Sequence, residues 1–126
     1  RGPSDGRELT ELAREFSRAQ ADLVRSWERK LEGWRSEALS VVLWGASSKS
    51  VGFLTQVAGA NDIDTVVDIN PTKQGRFLPG TGQRIVAPDA LVARPADVVV
   101  IMNPTYREEI EAQLVALGLS PTIAVL

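Results

Sequence analysis

Apolar residues recur every three or four positions from residue 5 to residue 35, and charged residues fill most of the positions between them. This spacing predicts one long amphipathic helix over residues 5–35. At 1.5 Å per residue such a helix is about 45 Å long, which exceeds what a domain of this size can cover. We therefore expect part of it to extend beyond the domain and to contact something else. The apolar positions are Leu9, Leu12, Ala13, Phe16, Ala19, Leu23, Val24, Trp27, Leu31 and Trp34.

After residue 39 the pattern changes to short apolar runs that alternate with helical stretches, which is typical of a parallel sheet with crossover helices. The predicted strands cover residues 40–44, 65–69, 84–86, 97–102 and 122–126, and the predicted helices cover 49–58, 88–92 and 106–117. Right-handed crossovers give an α/β, Rossmann-like sheet of about five strands in the order 3-2-1-4-5. A ligand crevice is then expected at the carboxyl ends of strands one and four.

This change of pattern divides the chain into two predicted parts. Residues 1–38 form a linker region and the long amphipathic helix, and residues 39–126 form the Rossmann-like domain. The chain has 126 residues, 44% of them hydrophobic, which suits one compact domain. Since its first residue is Arg1 and its single methionine is Met102, we interpret it as a fragment of a longer protein.

Composition excludes several classes of function. The net charge of −2 argues against a nucleic-acid partner or an anionic membrane, both of which need a basic surface. The absence of cysteine and histidine argues against a disulfide, a zinc site and the usual proton shuttle at neutral pH. No run approaches the roughly 18 apolar residues of a membrane span, so we expect a cytoplasmic location.

The turn after the first predicted strand carries the clearest binding signal. Gly45 is followed by a helix start, where free N–H groups and the helix dipole favour an anion. The turn lacks the spacing of a Walker loop, and Ser47 and Ser50 replace the second and third glycines of a dinucleotide fingerprint. Its hydroxyl groups and Lys49 could hold one phosphate or carboxylate. Ordinary capping of the helix by Ser47 or Ser48 is the alternative.

Asp68 lies near the end of the second predicted strand, where such folds often hydrogen-bond a sugar hydroxyl. Asn70 follows, and no acidic residue occurs from residue 69 to residue 88. The basic residues of this stretch are Lys73, Arg76 and Arg84. This local charge of +3 indicates an anionic ligand or partner, since binding groups concentrate in loops. The alternative is a solvated loop with Phe77 as a hydrophobic plug.

Asn103 and Tyr106 follow the fourth predicted strand, facing the first turn across the sheet. Both could hold a sugar or a base. Glu108 and Glu109 also suit the first turn of a helix for dipole reasons alone. We find no nucleophile with a histidine base, no metal cluster and no paired carboxylates with an evident reason for different pKa values, so catalysis by this segment alone is not expected.

Three ordered segments, VLWGASSK (residues 42–49), VDINPTKQGRFLPGTG (67–82) and NPTYREEI (103–110), resemble the C-terminal domain of the sugar C-methyltransferases. The resemblance covers about residues 39–126, and the long helix is similar to the segment that joins this domain to the preceding one. It implies a protein with an N-terminal zinc-binding domain, a central catalytic domain that binds S-adenosylmethionine, and this Rossmann-like module. The fragment itself is then expected to bind no cofactor, because S-adenosylmethionine and structural zinc belong to the missing domains.

The resemblance also implies a ligand and partners. The substrate would be a nucleoside-diphosphate deoxysugar, lying between this domain and the methyl-donor-binding domain upstream. A base in that domain would remove a proton alpha to a keto group, and the carbanion would accept the methyl group. The expected substrate-binding residues, placed by the matching segments and by their strand-end positions, are Gly45, Ser47, Ser48, Lys49, Asp68, Asn70, Lys73, Arg76, Asn103 and Tyr106.

Two further readings stay open on the sequence. The chain could be a non-catalytic Rossmann-like module for assembly or interaction, with an empty crevice and with homodimerisation through the long helix. It could also be an NAD-type nucleotide-binding domain, although the glycines missing at positions 47 and 50 argue against a dinucleotide.

Overall fold

The computed structural model describes the backbone of residues 4–126 and the side chains of residues 9–126. Its five strands are all parallel and lie in the order β3-β2-β1-β4-β5. The predicted fold class and strand order are thereby confirmed. The strands are β1 (Val41–Trp44), β2 (Thr65–Val67), β3 (Arg84–Val86), β4 (Val98–Ile101) and β5 (Thr122–Val125).

The helices also follow the predicted order, with small shifts at their ends. They are α1 (Ser4–Ser36), α2 (Ser48–Gln56), α3 (Ala90–Ala93) and α4 (Arg107–Ala116). Two short 3₁₀ turns, Ala60–Asp62 and Pro104–Tyr106, have no counterpart in the prediction. The second one shortens α4 at its start, because the Asn103 side chain and Pro104 organise a separate turn before the α-helix begins.

Each face of the sheet is covered by helices. On one face α1 and α2 pack together, and the Trp27 ring meets the Phe53 ring edge to face with 5.4 Å between centroids. On the other face Leu91 of α3 and Ile110 and Leu114 of α4 pack on the sheet. The central strands β1, β2 and β4 are therefore mostly buried on both sides, which explains their continuous apolar runs.

The long helix α1 divides into two parts. Its second part packs on the domain through Trp27 and Leu31, which are 2% and 7% exposed. Along residues 9–23 every side chain is exposed, and Leu9 and Phe16 keep about two thirds of their surface in solvent. The helix thus overhangs the domain as its length predicts. Among the described residues, no helix combines the length and the apolar composition that crossing a bilayer requires.

Candidate ligand-binding site

The candidate site begins where β1 ends. Gly45 turns the chain at a φ of +120°, a conformation that other residues rarely adopt, and its N–H donates to the Val67 carbonyl at 2.7 Å. A Cβ added at this glycine would lie 3.6 Å from the Met102 Cβ. The turn is thus anchored on β2 and packed against the residue that follows β4, which places it at the point where the strand order reverses.

Helix α2 starts directly after this turn and leaves its first N–H groups free. Ser47 occupies the N-cap position, but its hydroxyl makes no capping hydrogen bond. Within the described residues the N–H groups of Ser48, Lys49 and Ser50 have no hydrogen-bond partner. The first turn also carries no acidic residue. Side-chain capping, the alternative interpretation of these serines, is therefore absent here, and the positive end of α2 is available to an anion.

Asp68 and Lys73 bind the two backbone groups of Ala46, its N–H and its carbonyl. One carboxylate oxygen of Asp68, Oδ2, accepts the Ala46 N–H at 2.8 Å, and the other, Oδ1, accepts the Asn70 N–H at 2.8 Å. Lys73 Nζ donates to the Ala46 carbonyl at 2.7 Å and lies 4.0 Å from Asp68 Oδ2. The Asp68 side chain is only 13% exposed. Oδ2 thus stabilises the glycine turn and Oδ1 the start of the loop after β2, and a contact with a sugar hydroxyl stays a prediction.

A crevice of about 420 Å³, which we call the polar crevice, opens above the carboxyl ends of β1 and β4. It brings together eight of the ten predicted site residues, namely Gly45, Ser47, Lys49, Asp68, Asn70, Lys73, Asn103 and Tyr106. Helix α4 adds Glu109 and Gln113, of which Gln113 did not emerge from the sequence. A signal for it existed, because residues 106, 109 and 113 share one face of a helix.

Two amide groups of the polar crevice have donors to spare. Asn70 Oδ1 accepts from the N–H and the hydroxyl of Thr72, and Asn103 Oδ1 accepts from the Thr105 N–H at 3.0 Å. Because these turns use only the amide oxygens, both NH₂ groups lack a partner among the described residues. Tyr106 is half exposed, and its hydroxyl is likewise unpaired there. The crevice therefore offers several hydrogen-bond donors to a ligand.

A second crevice of about 740 Å³, which we call the apolar crevice, adjoins the polar crevice at Ala46. It contains the two remaining predicted residues, Ser48 and Arg76. Ala46, Ser47 and Lys73 line both crevices. The apolar side chains along its wall, which sequence reasoning did not identify as site residues, are Val51, Phe77, Leu78, Pro79 and Ile85.

Phe77 is not the hydrophobic plug of its loop, contrary to the alternative interpretation. Its side chain is 65% exposed, whereas the neighbouring Leu78 is 3% exposed. The Leu78 N–H donates to the Gln83 carbonyl at 2.7 Å, and the Leu78 side chain packs in the core. The loop is thus closed by Leu78, and Phe77 stands at the apolar crevice with its ring in solvent.

Among the described residues, no three of the acidic, histidine or cysteine type lie close enough to hold a metal ion. The third glycine position of a dinucleotide fingerprint is filled by Ser50, which is fully buried and donates its hydroxyl to the Gly45 carbonyl. The hydrogen-bond donors and basic side chains of the site suit an anionic ligand that itself carries hydroxyl or carbonyl groups.

A comparison with known protein families gives one assignment. The family model described as "C-methyltransferase C-terminal domain" matches residues 5–119, which include nearly all of α1, the strands β1 to β4 and both crevices. No curated protein matches the chain significantly.

Proposed function

Because this chain belongs to the C-methyltransferase C-terminal domain family, we propose that it is the substrate-binding domain of an S-adenosylmethionine-dependent C-methyltransferase that acts on a nucleoside-diphosphate sugar. The observation that carries this proposal is the convergence of eight predicted site residues around the polar crevice at the topological switch point. The two remaining ones lie in the adjoining apolar crevice.

The charges of the site suit a diphosphate. Lys49 stands in the first turn of α2, beside N–H groups that have no partner in the described chain. The Lys73 side chain is 45% exposed and donates one hydrogen bond to Ala46, so its ammonium keeps two further N–H donors. Arg76 adds a third cation at the wall of the apolar crevice. A phosphate would gain charge-assisted hydrogen bonds from these groups.

We assign the methyl transfer itself to another part of the protein. When bound there, S-adenosylmethionine supplies the methyl group, and structural zinc likewise belongs outside this chain. The residues described above would bind the nucleotide and orient the sugar, which contributes to catalysis by positioning. A cytoplasmic location remains part of this proposal and rests on composition alone.

The overhanging part of α1 supports a role in contact with a partner. Leu9, Leu12, Phe16 and Leu23 are each more than half exposed along residues 9–23. An apolar face of this kind is typical of an interaction surface. We propose that the methyl-donor-binding domain upstream covers it, with a homodimer through the same helix as the competing arrangement.

Isothermal titration calorimetry of the 126-residue chain tests the proposed ligand. Thymidine diphosphate is expected to bind, and NAD to bind at least about tenfold more weakly, because the serines at positions 47 and 50 keep a dinucleotide pyrophosphate from approaching the backbone. Tighter binding of NAD would favour an NAD-type domain. No heat with either ligand at millimolar concentration would favour a non-catalytic assembly module.

A further inference from the structure

The polar and apolar crevices differ in chemistry, yet they meet at one charged side chain. Ala46, Ser47 and Lys73 line both crevices, and Lys73 is the one charged residue common to their walls in the described part of the chain. We propose that the two crevices are the halves of one extended ligand site, an inference that rests on the proposed function. The nucleobase occupies the apolar crevice, the diphosphate lies over Lys73, and the sugar occupies the polar crevice.

The apolar crevice fits a planar heterocycle. Its volume of about 740 Å³ lies within the range of small-molecule sites. Phe77 presents a ring that is 65% exposed, although large apolar side chains are usually buried. Leu78 and Ile85 are 3% and 4% exposed and form a fixed apolar wall. Bases stack on aromatic side chains whatever their sequence, so an exposed Phe77 ring beside such a wall favours a base.

The polar crevice fits a sugar. The free NH₂ groups of Asn70 and Asn103 and the hydroxyl of Tyr106 are donors for keto and hydroxyl oxygens. Glu109 and Gln113 add acceptors from α4. Apolar side chains such as Trp44 and Met102 line this crevice as well, so its amide and hydroxyl groups are what distinguish it from the apolar one. A ligand part with several oxygens therefore gains more hydrogen bonds in this crevice than in the apolar one.

The junction between the crevices fits the diphosphate. Lys73 is held there by its bond of 2.7 Å to the Ala46 carbonyl, and the carboxylate of Asp68 accepts the N–H of the same residue. The basic side chain therefore stays in place between the two crevices, instead of moving freely as an exposed lysine does. The reversed orientation would put the sugar against Phe77 and the base among the amides.

Calorimetry with two ligands and two variants tests this orientation. Phe77→Ala and Tyr106→Ala each remove an exposed ring, one from each crevice, so both chains should fold, and circular dichroism melting checks that they do. The ligands are thymidine diphosphate and the same nucleotide linked to glucose. We expect Phe77→Ala to weaken both ligands by the same factor of about ten, which is the scale of one base-stacking contact.

The second variant should separate the two ligands. Tyr106→Ala is expected to leave thymidine diphosphate binding unchanged and to weaken only the sugar-linked ligand. The orientation is overturned if Tyr106→Ala weakens thymidine diphosphate while Phe77→Ala does not, or if neither variant changes the binding of either ligand. A wild-type chain that binds neither ligand is a different result, because it overturns the proposed function together with the orientation.

Discussion

Two regions of the same sheet differ in composition: the face that α1 and α2 cover, which we call the helix side, is apolar, and the carboxyl edge is polar. On the helix side Trp27 and Phe53 are at most 5% exposed, and their rings are locked edge to face. At the carboxyl edge Lys49, Asn70 and Asn103 are exposed and keep donors that the described chain does not use. Substitutions in the first region should therefore change the free energy of unfolding, and substitutions in the second should change ligand binding.

The largest effect is expected on the helix side. Trp27→Ala would remove a buried ring that contacts both Phe53 and Trp34, so we expect the free energy of unfolding to fall by about 3–5 kcal/mol. Urea denaturation measures this change. The matched control is Leu23→Ala one turn earlier, where a side chain that is 51% exposed should cost about 0.5 kcal/mol or less. Equal losses in the two variants would remove the distinction between the packed and overhanging parts of α1.

Asp68 should affect both stability and binding, because its nearly buried carboxylate holds backbone groups and also lines the polar crevice. Asp68→Ala would leave the N–H groups of Ala46 and Asn70 without their carboxylate partner, which should lower the free energy of unfolding by about 1–3 kcal/mol. Nucleotide affinity should fall as well, because the glycine turn loses its anchor. Asp89→Ala removes the same charge from an exposed position whose side chain makes no capping bond, and it should change neither quantity. An Asp68→Ala variant as stable as the wild-type chain would show that these two carboxylate hydrogen bonds do not stabilise the glycine turn and the loop after β2.

Lys49 gives the cleanest separation of binding from stability. Its side chain is exposed in the first turn of α2, so Lys49→Ala should weaken thymidine diphosphate by about tenfold while the melting temperature stays the same. Calorimetry and thermal melting measure the two quantities. Arg29→Ala removes a like charge from an exposed position of α1 and should affect neither. Parallel losses of affinity and melting temperature in Lys49→Ala would contradict the account.

The smallest effect on stability is expected in the overhang. Phe16→Ser replaces a ring that is 66% exposed, so the free energy of unfolding should change by about 0.5 kcal/mol or less. The same change should abolish any self-association through α1, which analytical ultracentrifugation measures against the wild-type chain. A large loss of stability in dilute solution would mean that the residues 9–23 are packed within this domain after all.

The regular elements of this fold were predictable because their signals are local. The 3.6-residue period of α1 and the apolar runs of β1 and β4 each follow from which faces are buried. The strand order then follows from right-handed crossovers. The two 3₁₀ turns were missed because the turn at Pro104 depends on one side-chain contact from Asn103, which no periodicity reports.

The site was predictable in position and less so in detail. Residues at the ends of parallel strands must share one edge, which is why Lys49, Asp68 and Asn103 meet. What Asp68 contacts depends on the distance between neighbouring turns, and only the tertiary structure fixes it. Phe77 and Leu78 are neighbours in an extended segment, so their side chains point to opposite sides, and only the tertiary structure decides that Leu78 is the buried one.

The most direct test of a ligand site at the carboxyl edge uses the three tryptophans as reporters. Trp44 lines the polar crevice, whereas Trp27 and Trp34 pack together on the helix side. In a ¹⁵N NMR titration with thymidine diphosphate linked to glucose, the indole N–H signal of Trp44 and the amides of Ser48 and Lys49 should shift and saturate together. The indole signals of Trp27 and Trp34 should stay in place. Shifts confined to those two indoles, or no shifts at millimolar ligand, would contradict the account.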